Sequence, residues 1–167
     1  MILLIDVLTL IAFSKFVCYN SFDARKYRGL VLEHSKKVAW VNREKKVELL
    51  QFVLLCIGVI RERFEPVKSS EDFLKDSEGF MRLDAIAMRL FQVGEAMKNI
   101  YDIDRQTLLR IEESDYWIKV ISIRELFVNS NIELDSDIIF NICNNKLDKI
   151  EKSVLDYLNI LTIRDRY

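Results

Sequence analysis

Residues 81–104 read MRLDAIAMRLFQVGEAMKNIYDID. Ile86, Leu90, Val93, Met97 and Ile100 recur there in steps of four and three, so they share one face of a helix predicted over 81–101. Arg82, Arg89, Gln92, Glu95 and Lys98 fall off that face. Gly94 lowers helix stability relative to Ala by about 1 kcal/mol, and a glycine at such a place permits close approach of a neighbouring helix.

The same period appears upstream from Val47, where Leu50, Val53, Ile57, Ile60 and Phe64 form one apolar stripe that Pro66 terminates. Residues 67–79 read as a loop with one short helical turn, capped by Ser69 or Ser70 ahead of Glu71 and Asp72. After a short segment over 104–113, a third helix is predicted from Tyr116 to Val128, with Trp117, Ile121 and Val128 on a stripe that Arg124 shares. A last helix is predicted from Asp135 or Ser136, its core face built by Ile139, Ile142, Ile150, Val154, Leu158 and Leu161. Four long helices with short connections predict an all-α, antiparallel four-helix bundle.

Composition agrees with this reading. The chain has 167 residues, one proline, four glycines and 31% charged residues, a balance that favours long helices over a turn-rich sheet protein. Its length suits one domain, predicted over 46–167 and preceded by an N-terminal extension over 1–45. The net charge of −1 gives no global signature of a nucleic-acid binder. The halves differ, however. Residues 1–45 hold eight basic against four acidic residues, and the remainder 17 against 22. A mildly acidic bundle points to a narrow basic cleft or a protein partner over broad polyanion affinity.

The first 20 residues are apolar but carry Asp6 and Lys15, with no positive charge ahead of the apolar run. They therefore read as a packed helix or strand added to the domain, or as sequence from an upstream start, in preference to a signal peptide or membrane span. Residues 21–46 interleave basic residues with Phe22, Tyr27 and Trp40. They suit either a solvated linker with a few buried aromatics or a grip on single-stranded RNA, the linker being the better reading. Cys18, Cys56 and Cys143 are widely spaced, without a CxxC pair, and read as buried thiols of a reducing cytoplasm. The single histidine, His34, leaves the bundle without ligands for a zinc, di-iron or haem centre, and no cofactor is expected.

The stretch that bears on chemistry is Arg124–Asn131, RELFVNSN, approached by WIKVISIRELF and followed by DSDIIFNICNNKLDKIEKSVLDYL. Together with the segment over 81–104, it resembles the HEPN superfamily, and within it the small HepT-like toxins. The resemblance runs over about residues 46–162. The family signature is an Arg, four to six intervening residues and a His, commonly followed two residues later by a Tyr. Arg124 and Glu125 match; Asn129 stands at the His position and Asn131 at the Tyr position.

The resemblance implies a metal-independent RNA endonuclease that pairs as a homodimer, both motifs lining a shared cleft, and is held by a nucleotidyltransferase antitoxin. Its candidate catalytic residues here are Arg124, Asn129 and Glu125, with Glu95 in the possible cleft. A guanidinium can stabilise charge on a scissile phosphate, but asparagine does not titrate near neutral pH. Loss of a general acid or base slows such chemistry by about 10²–10⁴, so the expectation is a weak or inactive nuclease. In the toxins that this chain resembles, the partner transfers AMP to the motif Tyr. Asn131 cannot accept it, and Tyr101 and Tyr157 remain as unassigned hydroxyls. The alternative is a noncatalytic module that binds a nucleotidyltransferase or RNA through the same cleft. From the residues alone, Arg124 needs either a cleft or a salt bridge to a neighbouring helix, for which Glu95 is one candidate, and Asn129 also suits a helix C-cap.

Overall fold

The computed structural model describes residues 24–125 and 134–163, and of residues 24–31, 34–40 and 163 the backbone only. The sequence readings for residues 1–23, which include Cys18, and for Asn129 and Asn131 lie outside the described residues. Residues 1–42 and 43–167 form two compact units. The described backbone is helical from Ala24, which corrects the linker reading over residues 24–46.

The described residues are all-helical. Helix α1 spans Ala24–Phe64, a 3₁₀ turn Ser70–Phe73, α2 Ser77–Leu108, α3 Ser114–Ser122, α4 Ser136–Asn145 and α5 Leu147–Ile163. From Arg43 onward they pack as a bundle. Leu50, Val53, Ile57 and Ile60 of α1 are buried, as are Ile86, Leu90, Val93, Met97 and Ile100 of α2. Each set is the stripe that the 3.6-residue period predicts.

Side-chain bonds fix the directions. Arg61 pairs with Asp148 while Arg43 Nη2 donates to the Leu161 carbonyl at 3.1 Å, so α1 and α5 run antiparallel. Lys46 meets Asp104 and the Cys56 thiol faces Gln92, so α1 and α2 do too. No described helix is long and apolar enough to cross a membrane.

Three element boundaries differ from the sequence reading. Helix α2 does not stop near Tyr101; it continues to Leu108 through a non-helical Asp104, at φ −149° and ψ 58°. Helix α3 ends at Ser122, six residues before the predicted Val128. The predicted last helix is two, α4 and α5, broken at Lys146. The predicted caps do form. Asp135 Oδ1 accepts from the N–H groups of Asp137 and Ile138, and Asp72 accepts from the Ser69 N–H at the 3₁₀ turn.

Candidate functional site around Arg124

The shortening of α3 decides where Arg124 lies. Its backbone N–H donates to the Ile121 carbonyl at 3.3 Å, closing a tight turn that leads the chain off the helix. Arg124 therefore sits in the turn beyond the apolar stripe of Trp117 and Ile121, not on a continuation of it.

Helix α2 supplies the facing wall. A Cβ at Gly94 would lie 3.0 Å from both the Cβ and the backbone nitrogen of Arg124, and 3.1 Å from the Ile121 carbonyl oxygen. Gly94 is thus the point where α2 touches the Arg124 turn, the close approach that its place in the sequence indicates. The next residue, Glu95, accepts from Arg124 Nη1 at 2.7 Å.

This pair is the salt-bridge option for Arg124. The side chains keep 29% and 41% of their exposure, so the pair sits at the surface of the bundle and not within it. Bonding to Glu95 raises the Arg124 pKa, and the guanidinium stays charged at any physiological pH. Glu95 engages the fork at Nη1; Nε is buried and meets no acceptor among the described residues. A guanidinium held by one arm keeps donors suited to a phosphate oxygen.

Glu125 is exposed beside Arg124. Asn129 and Asn131 fall outside the described residues, so the geometry between them and Arg124 does too. Among the described residues no three His, Cys, Asp or Glu side chains cluster as metal ligands.

The two unassigned tyrosines are placed clearly. Tyr157 is fully buried, and its hydroxyl donates to Asp104 Oδ2 at 2.9 Å. Tyr101 is partly exposed, its hydroxyl 3.5 Å from Ser114 Oγ and its ring under Arg105. Asp104 centres a polar cluster that sequence reading missed. It also takes Lys46 Nζ at 2.6 Å and both the hydroxyl and N–H of Thr107, at 2.8 and 3.2 Å. Burial pushes the Asp104 carboxyl up, but the donors of Lys46, Thr107 and Tyr157 outweigh it and hold its pKa at about 2. The signal was present as an Asp three residues before Thr107, the spacing of a helix N-cap.

The family model described as "HepT-like: Ribonuclease HepT-like" matches residues 53–156, which hold Gly94, Glu95, Arg124 and the motif positions Asn129 and Asn131. No curated protein and no solved structure matches the chain.

Proposed function

Since the chain belongs to the HepT-like ribonuclease family, we propose that it is the RNA-directed component of a toxin–antitoxin pair, a metal-independent endonuclease whose cleavage is slowed because Asn129 stands where the family has its proton-transfer His. The observation that supports this best is Arg124, charged, anchored through Nη1 by Glu95 and still 29% exposed at the motif's first position. It stabilises charge on a scissile phosphate without titrating. Asparagine leaves the 2′-hydroxyl without a base and the 5′-oxygen without an acid.

The protein acts as a homodimer with the two motifs lining one cleft, in the cytoplasm, and a nucleotidyltransferase restrains it. That restraint works by binding and not by AMP transfer at the motif, since Asn131 has no hydroxyl. Tyr157, being buried and bonded to Asp104, is no replacement acceptor.

A second reading is favoured by the Glu95 contact, which offsets the charge that Arg124 would present to RNA. On that reading the same cleft is a noncatalytic binding surface for the nucleotidyltransferase or RNA. RNA cleavage by the purified protein, with Arg124→Ala and a chelator control beside it, separates the two. Chelator-resistant cleavage lost in Arg124→Ala supports the nuclease. A folded dimer that does not cleave, yet retains the nucleotidyltransferase or RNA, supports the binding module.

A further inference from the structure

Helix α3 and the α4–α5 junction wall an open groove of about 670 Å³ that includes neither Arg124 nor Glu95. One wall is Tyr116 and Val120 of α3 with Ile123 of the turn that follows it; the other is Ile138 and Ile142 of α4 with Ile150 of α5. Val120, Ile123, Ile142 and Ile150 are buried and make an aliphatic floor, while Ile138 at the edge is 41% exposed. Two helix faces with an apolar trough between them suit the docking of a third helix.

The rim has a charge of its own. Lys119, Lys146 and Lys149 border the groove against one carboxylate, Asp137. Lys149 is already occupied, its Nζ 3.1 Å from Glu112 and 4.5 Å from the centroid of the Tyr116 ring. Lys119 and Lys146 are exposed, and among the described residues neither pairs with a carboxylate. Residues 46–167 carry 17 basic against 22 acidic residues, so this rim is a local reversal of the bundle's charge. An RNA strand would find the cations but only one ring, Tyr116, on which to stack, over an aliphatic floor it cannot hydrogen-bond.

We propose that this groove docks an acidic amphipathic helix of a protein partner, its apolar side chains on the isoleucine floor and its carboxylates on Lys119 and Lys146. The inference is independent of cleavage at Arg124, because no residue of that pair lines the groove. Apolar contacts supply most of the affinity in such a mode, and the charges select the partner and raise its association rate.

The test is direct binding to the full-length protein, read by fluorescence anisotropy. The probe is a labelled designed helix with leucines at the i, i+3, i+4 and i+7 positions and flanking glutamates. The same helix with lysines for the glutamates and a single-stranded RNA serve as comparators. Lys119→Glu combined with Lys146→Glu, and separately Ile138→Asp, alter exposed positions, and circular dichroism verifies that each variant folds. The acidic helix is expected to bind, to weaken with salt, and to lose about tenfold or more in affinity in each variant, while the lysine helix does not bind. Failure of the acidic helix to bind, or equal binding to the folded variants, overturns the proposal. So does RNA binding that the lysine reversals abolish when the acidic helix does not bind, since the rim then serves nucleic acid. A dimer that Ile138→Asp converts to monomer also overturns it, because a second copy then fills the groove.

Discussion

Tyr157 on α5 and Asp104 in the break of α2 are 53 residues apart, yet the buried phenol and the partly buried carboxylate meet at 2.9 Å. With Lys46 of α1 on the same carboxylate, one acidic side chain ties three helices together at the point where α2 leaves helical geometry. Tyr157→Phe keeps the ring and removes one donor, and its expected loss is about 1 kcal/mol of folding stability. Asp104→Ala strands both the Lys46 ammonium, whose side chain is only 13% exposed, and the phenol, and its expected loss is larger, about 2–3 kcal/mol. Urea unfolding of the two variants measures the difference, and equal losses would show that the tyrosine alone carries the contact.

The depressed pKa of Asp104 has a signed consequence. Its folded value of about 2 lies below that of an unfolded aspartate, so its ionised form stabilises the fold at neutral pH. That contribution is fully present above about pH 4 and is lost as the pH falls towards 2. The stability of the wild-type chain should therefore drop more steeply over that window than that of Asp104→Asn, which starts lower and has no proton to bind there. Parallel curves in a pH series of urea midpoints would contradict the assignment.

Two helical glycines should respond oppositely to an added side chain. Nothing lies within 4 Å of a Cβ built at Gly58, which is exposed on α1, so Gly58→Ala should stabilise by about 0.5–1 kcal/mol through helix propensity. At Gly94 the added carbon meets Arg124 and the Ile121 carbonyl at 3.0–3.1 Å, and Gly94→Val, with two further carbons, should destabilise by about 1–3 kcal/mol. Thermal melts decide between this and a uniform gain from removing helical glycine.

Local signals carried most of the fold. Apolar stripes named the buried faces of α1 and α2, Pro66 marked the end of α1, and Asp135 marked the start of α4, because each acts within a turn or two of itself. The three missed boundaries have distant causes or none that local pattern exposes. Asp104 leaves helical geometry while bound by Lys46, 58 residues away, and Tyr157, 53 residues away. The early end of α3 places Arg124 against Gly94, although ISIRELF is a good helical sequence. The break at Lys146 lies in NNKLD, with neither Gly nor Pro to announce it. At the site, Gly94 and the Arg124–Glu95 pair were readable, one from an unfavourable helix residue and the other from a charge that needed an opposite charge nearby.

The buried thiols give a check on the same core. Cys56 is fully buried, and burial raises the pKa of both Cys56 and Cys143, the latter to about 12. Thiolate is the reactive form, so both should resist a water-soluble disulfide reagent at neutral pH and react only as the chain unfolds. Mass mapping of the modified peptides, against a urea-unfolded control, reads each cysteine separately. Rapid labelling of Cys143 in the folded protein would mean that α4 opens readily.

Asn129→His tests the chemistry most directly. The variant places an imidazole, which titrates near neutral pH, at the position where the family signature has one, while Arg124 and Glu95 are left as they are. If the motif forms a working cleft, RNA cleavage should rise by about 10²–10⁴ over the parent chain. The gain should disappear when Arg124→Ala is added, because the transferred proton is of little use without charge stabilisation at the phosphate. It should persist in chelator, and its rate should vary with pH between about 5 and 8, where the parent chain has no comparable titrating group at the motif. A folded dimeric Asn129→His protein with no added cleavage would mean that the cleft around Arg124 binds without cutting, and the Glu95 contact would then be read as part of a binding surface.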